Sequence, residues 1–141
     1  MSPGKAHAQT GHAYTDALLH ALLHDDPRAR AYARLRPGTK ICLDGGSYAD
    51  LLRLLDRLAA TPLPHISIID SGHVEPPDFD GRPVLTAIGV GPIRRAEAPG
   101  FIKRLPLWTG PSARWGRGAS DQGILVPPGG LLTPLSSPTH P

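Results

Sequence analysis

From residue 4 to about residue 24, apolar side chains recur every three or four positions. Ala13, Ala17 and Ala21 stand four apart, and Tyr14, Leu18 and Leu22 do the same beside them. This period puts them on one stripe of a helix. Ser2 suits the N-cap and Pro3 the first helical position. Asp26-Pro27 repeats the signal and predicts a second helix, roughly residues 27–35, ended by Pro37-Gly38. The pattern then changes. Residues 39–44 (TKICLD) alternate and read as a strand. Ser47, with Asp50 three residues later, has capping-box spacing. A helix over residues 48–60 follows, burying Leu51, Leu55 and Leu58, with Leu52 and Leu54 widening that face. Residues 65–70 (HISIID) are a second strand and residues 71–83 a loop carrying Gly72, Pro76, Pro77 and Gly81. Residues 84–89 (VLTAIG), apolar enough to be buried on both faces, are a third strand. A short helix over about 94–98 and a last strand over 103–108 complete the set.

This order predicts an α/β fold, a single three-layer-type domain with a small mixed β-sheet packed by helices. Strand–helix–strand units would be right-handed crossovers between parallel strands. From Thr109 onward the chain has no usable period and is rich in Gly, Pro and Ser. The expectation is a domain over residues 1–108 and a disordered tail over 109–141.

Composition narrows the classes. A length of 141 residues suits one domain. With 12 arginines, 3 lysines and a net charge of +3, the chain is compatible with a nucleic-acid partner without identifying one. Cys42 is the one cysteine, which excludes an internal disulfide and fits a reducing cytoplasm. No apolar run approaches the ~20 residues that span a bilayer, and the N-terminus lacks a signal-peptide core. The expectation is a soluble, cytoplasmic protein with no membrane partner. There is no Gly-x-Ser-x-Gly elbow and no Walker loop, so serine-hydrolase and nucleotide-hydrolase readings lack support. His20 and His24 stand four apart, but no third ligand has zinc-like spacing; neither metal nor cofactor is expected. Cys42, between Ile41 and Leu43, reads as a small buried hydrophobe.

Lys5 falls in the first turn of the first helix, where a cation opposes the helix dipole at a cost of a few tenths of a kcal/mol. It is either an exposed lysine without a role or one kept for a reason other than stability. Gln9 and His12 follow by four and seven residues and share its face. Asp70 ends a strand near Gly72, either as a functional carboxylate or as a turn residue. Two basic groups, Arg28, Arg30, Arg34, Arg36 and Arg94, Arg95, Lys103, Arg104, are solvated faces or tracks for a phosphate backbone.

Three segments resemble the type-2 peptidyl-tRNA hydrolase family, in order and at matching spacing. Ser2-Pro3-Gly4-Lys5, with Gln9 and His12, looks like the family's glycine–lysine turn opening a helix. Ile68-Ile69-Asp70-Ser71-Gly72-His73 is similar to its Ile-x-Asp-Ala-Gly turn. Thr86-Ala87-Ile88-Gly89-Val90-Gly91-Pro92 is similar to its Leu-Ala-Ile-Gly-Pro strand end. The resemblance implies hydrolysis of the ester joining a peptide to the tRNA 3′ ribose, without metal, on a mixed four-stranded sheet and often as a homodimer. It implies Lys5, His12 and Asp70 as catalytic residues, with Gly4, Gln9, Gly72 and His73 binding peptidyl-tRNA. The sequence also departs from that pattern. Gly11 stands where a serine is usual, Val74 and Val84 where threonines are, and Glu75 where a glutamine is. The family's apolar strand before the glycine–lysine turn is missing, and the expectation is that the natural chain starts upstream. The lost hydroxyls keep open an alternative, a non-catalytic tRNA- or protein-binding module on the same fold.

Overall fold

A computed structural model describes residues 1–35, 37–72, 74–75 and 79–110. The tail expected from residue 109 lies, beyond Gly110, outside the described residues, and so does His73.

Helix α1 spans Pro3–Leu23, with Ser2 as its N-cap and Pro3 in its first turn. Helix α2 spans Pro27–Ala33, capped by the Asp26 carboxylate, which accepts from the Arg28 N–H. Helix α3 spans Tyr48–Ala59 and starts in a complete capping box. The Ser47 hydroxyl takes the Asp50 N–H, and the Asp50 carboxylate takes the Ser47 N–H. The order continues with strands β1 (His65–Asp70), β2 (Val74–Glu75), β3 (Phe79–Asp80) and β4 (Val84–Val90), then a short helix α4 (Gly100–Lys103).

The α/β class holds, with a smaller and simpler sheet than the pattern suggested. Strands β1 and β4 form an antiparallel pair, and β2 and β3 a second, two-residue ladder inside the loop. The strands expected over 39–44 and 103–108 shrink to one antiparallel bridge, Leu43 to Leu107. Asp44 N–H donates to the Pro106 carbonyl at 2.9 Å and Trp108 N–H to the Cys42 carbonyl at 3.0 Å. Pro106 has no N–H to extend that ladder. Residues 42–44 thus pair with 106–108, and parallel crossover pairing is not seen among the described residues. The helix expected over 94–98 is a closed turn, in which the Arg94 N–H donates to the Glu97 carboxylate at 2.7 Å. Pro99 disfavours helical backbone at the residue before it and caps α4 instead.

The core lies where α1 and α3 meet the β1–β4 pair. Ala13, Ala17 and Ala21 of α1 are buried, as are Leu51 and Leu58 of α3, Ile68 of β1 and Leu85 of β4. Tyr14, Leu18 and Leu22 are only half-buried, and Leu52 is exposed. Alanine leads the buried stripe because α1 comes very close to β4 at Gly89. A Cβ at Gly89 would sit 2.3 Å from the Ala13 carbonyl oxygen and 2.9 Å from the Ala17 Cβ. Small residues on both sides let the two backbones touch.

Candidate active site

The site grows from the first turn of α1. The Ser2 carbonyl takes the Ala6 N–H at 3.0 Å, and the Ser2 hydroxyl takes the Lys5 N–H at 3.4 Å. Pro3 has no N–H, so Gly4 carries the one first-turn amide without a protein partner among the described residues. Lys5 is thereby fixed one turn before Gln9. Asp70 approaches from the other side, at the C-terminal end of β1.

The Lys5 ammonium and the Asp70 carboxylate form an ion pair through Oδ2. Their side chains are only 14% and 13% exposed, so solvent screens this pair far less than a surface one. The same Oδ2 accepts from Gln9 Nε2 at 3.2 Å. Gln9 is buried, and its Oε1 in turn accepts from the Thr86 hydroxyl at 2.9 Å. Thr86, also buried, stands 3.0 Å from the Ile68 carbonyl as well, so its single proton is shared between two acceptors. The orientation of the Gln9 amide follows. A carboxylate only accepts, so the NH2 group must face Asp70 and the C=O must face the hydroxyl.

A register step places that hydroxyl. Ile68 pairs with Ala87, whereas Ile69 pairs with Leu85, which leaves Thr86 as an extra residue in β4. Such a bulge re-aims a side chain. Here it turns Thr86 toward α1, inside a strand that is otherwise apolar.

The family model described as Peptidyl-tRNA hydrolase PTH2 matches residues 1–108. The chain belongs to this family. A search of curated proteins gives no match. The reaction that goes with the PTH2 family is hydrolysis of peptidyl-tRNA. All four residues of the Lys5–Asp70–Gln9–Thr86 chain lie within the matched span.

Of the residues singled out from the resemblance to this family, Lys5, Gln9 and Asp70 come together and Gly4 adjoins them. His12 does not join them. It is exposed on α1 about two turns, or roughly 10 Å, beyond Lys5, and no hydrogen bond ties it to the cluster. Gly72 sits two residues past Asp70 at a φ of +76°, which favours glycine, and its N–H donates to the Gly81 carbonyl at 3.0 Å. His73 lies outside the described residues. Val84 pairs across from Asp70 without a hydroxyl to offer, and the exposed Val74 is equally silent.

Thr86 is the residue that sequence reasoning missed. Its signal was one hydroxyl within the run Val84-Leu85-Thr86-Ala87-Ile88, where a buried polar atom needs a partner. Elsewhere, His20 and His24 lie with ring centroids 4.2 Å apart and planes tilted by 41°. Among the described residues no three His, Cys, Asp or Glu side chains converge on a metal-sized site. Cys42 is half-buried, 3.7 Å from the Thr10 hydroxyl. Part of the first basic group is already neutralised. Arg28 pairs with Asp26 at 2.5 Å, and Arg30 pairs with Asp25. Among the described residues no helix is long and apolar enough to cross a membrane.

Proposed function

We propose that this chain hydrolyses the ester bond of peptidyl-tRNA, releasing free tRNA and peptide in the cytoplasm, where peptidyl-tRNA arises. The observation that carries the reading is the shielded Lys5–Asp70 pair at the start of α1, with Gln9 donating to the same carboxylate oxygen. Both contacts fall on Oδ2, so Oδ1 is the oxygen that takes a proton from the attacking water. The water oxygen adds to the ester carbonyl. The developing oxyanion is met by the Lys5 ammonium and the Gly4 N–H, donors already aimed by the helix start. The bond to the ribose oxygen then breaks, and that oxygen recovers the proton held by Asp70.

His12, about two turns beyond Lys5 on α1, and Gly72, two residues past Asp70, serve the 3′ end of the tRNA rather than the water. His73 stays assigned to substrate binding on the resemblance alone. No cofactor enters these steps. A homodimer would leave them unchanged, since every group in them comes from one chain.

The test is release of free tRNA from a labelled N-blocked aminoacyl-tRNA, with Lys5→Ala as control. Release that falls about 100-fold or more in the variant is expected, in line with loss of a transition-state charge contact. A folded wild-type chain that binds the substrate without releasing tRNA overturns the reading in favour of a non-catalytic tRNA-binding module.

A further inference from the structure

We infer that Thr86 is a positioning residue for this site, acting through Gln9 to fix which face of the Asp70 carboxylate meets the substrate. The inference rests on the hydrolase reading for its kinetic consequence but not for its geometry.

Three facts lead to it. The Thr86 hydroxyl is buried and lies 2.9 Å from Gln9 Oε1. Gln9 is buried too, and its side-chain partners among the described residues are Thr86 and Asp70. Thr86 owes its direction to the register step in β4, since the residues before and after it, Leu85 and Ala87, keep their partners on β1. An amide held at only one end can turn over and present its carbonyl to Asp70, oxygen against oxygen. Held at both ends it cannot, and Asp70 Oδ2 stays engaged by Gln9 while Oδ1 is left without a protein partner among the described residues. The hydroxyls that the chain lacks at residues 11, 74 and 84 are therefore not the measure of its competence. One hydroxyl, two residues along the strand from Val84, reaches the carboxylate through an amide.

Thr86→Val removes the hydroxyl and keeps the branched shape, and Thr86→Ser restores the hydroxyl. Two readouts decide the matter in wild type and both variants. The first is the pair of Gln9 side-chain amide proton signals by NMR, assigned with Gln9→Ala and needing no activity. Thr86→Val should shift them or merge them toward solvent values, and Thr86→Ser should hold them near their wild-type positions. The second is tRNA release. Thr86→Val should lower kcat roughly tenfold, the worth of one hydrogen bond, with KM within about twofold. In a Gln9→Ala background the same substitution should change kcat less than about twofold, because the residue it acts through is gone. A merely structural Thr86 would cost the same in both backgrounds. Unmoved Gln9 signals in folded Thr86→Val overturn the inference. A wild type that releases no tRNA overturns the hydrolase reading alone, and the Gln9 signals still decide the role of Thr86. If Thr86→Val does not fold, Thr86→Ala and Thr86→Cys replace it in the same two measurements.

Discussion

Lys5 is unfavourable where it stands if only the helix is considered, since its ammonium faces the positive end of the α1 dipole. The Asp70 carboxylate reverses that sign locally, and its partial burial makes the attraction effective. The two residues therefore explain each other, although 65 positions separate them. An amide in place of the carboxylate can still accept a hydrogen bond but cannot take a proton from water. Asp70→Asn should lower kcat by about 100-fold or more while substrate binding persists, as measured by release of tRNA beside equilibrium binding. Gln9 was legible in the sequence as a face-mate of Lys5, because helical periodicity alone puts i and i+4 together. Its partner Thr86 was not, because a bulge adds one residue to a strand without a local mark. The outward position of His12 was likewise hidden: seven residues return a side chain to the same face but not to the same height.

At the scale of elements, the caps and the small-residue contact carry testable weight. Asp50 is held at about 2, well below its usual 3.8, first by the Ser47 hydroxyl, then by the Ser47 N–H and Arg53. A carboxylate lowered on folding stabilises the protein above its unfolded value, and that contribution is lost as the pH falls toward 2. Melting temperature should therefore drop between about pH 4 and pH 2 in the wild type, and Asp50→Asn should flatten that part of the curve in thermal scans across pH. At the other contact, Gly89→Ala must displace the Ala13 carbonyl or separate α1 from β4. A loss of about 1–3 kcal/mol is expected, read from urea unfolding midpoints. The caps and the helices α1 to α3 were plain in the sequence because they rest on near neighbours, whereas α4 stands at Gly100–Lys103 in place of the helix expected over 94–98. Strand partners were not, since of residues 39–44 only 42–44 pair with 106–108, where Pro106 limits the ladder to a single bridge.

At the scale of the whole molecule, the count of 12 arginines and 3 lysines overstates what is available to a phosphate backbone. Arg28, Arg30, Arg53 and Arg82 already face carboxylates, and Arg57 lies over the Phe101 ring at 4.1 Å. Fewer phosphates would be neutralised than the 15 cations suggest, so the salt dependence should be correspondingly shallow. Raising salt from about 50 to 200 mM should increase KM for peptidyl-tRNA by less than about tenfold and leave kcat nearly constant, well short of a protein making six to ten phosphate contacts. Steady-state kinetics over that series provides the check.

The register step in β4 makes the centre depend on how many residues the strand contains as well as on which they are. Deleting Leu85 would remove none of Lys5, Gln9, Asp70 or Thr86, yet it would let the ladder run without its step and swing the threonine to the opposite face. Adding a residue to the connection between β1 and β4 would be absorbed before the strand begins. In this chain, insertions and deletions are therefore tolerated or lethal to the centre according to which side of Val84 they fall on.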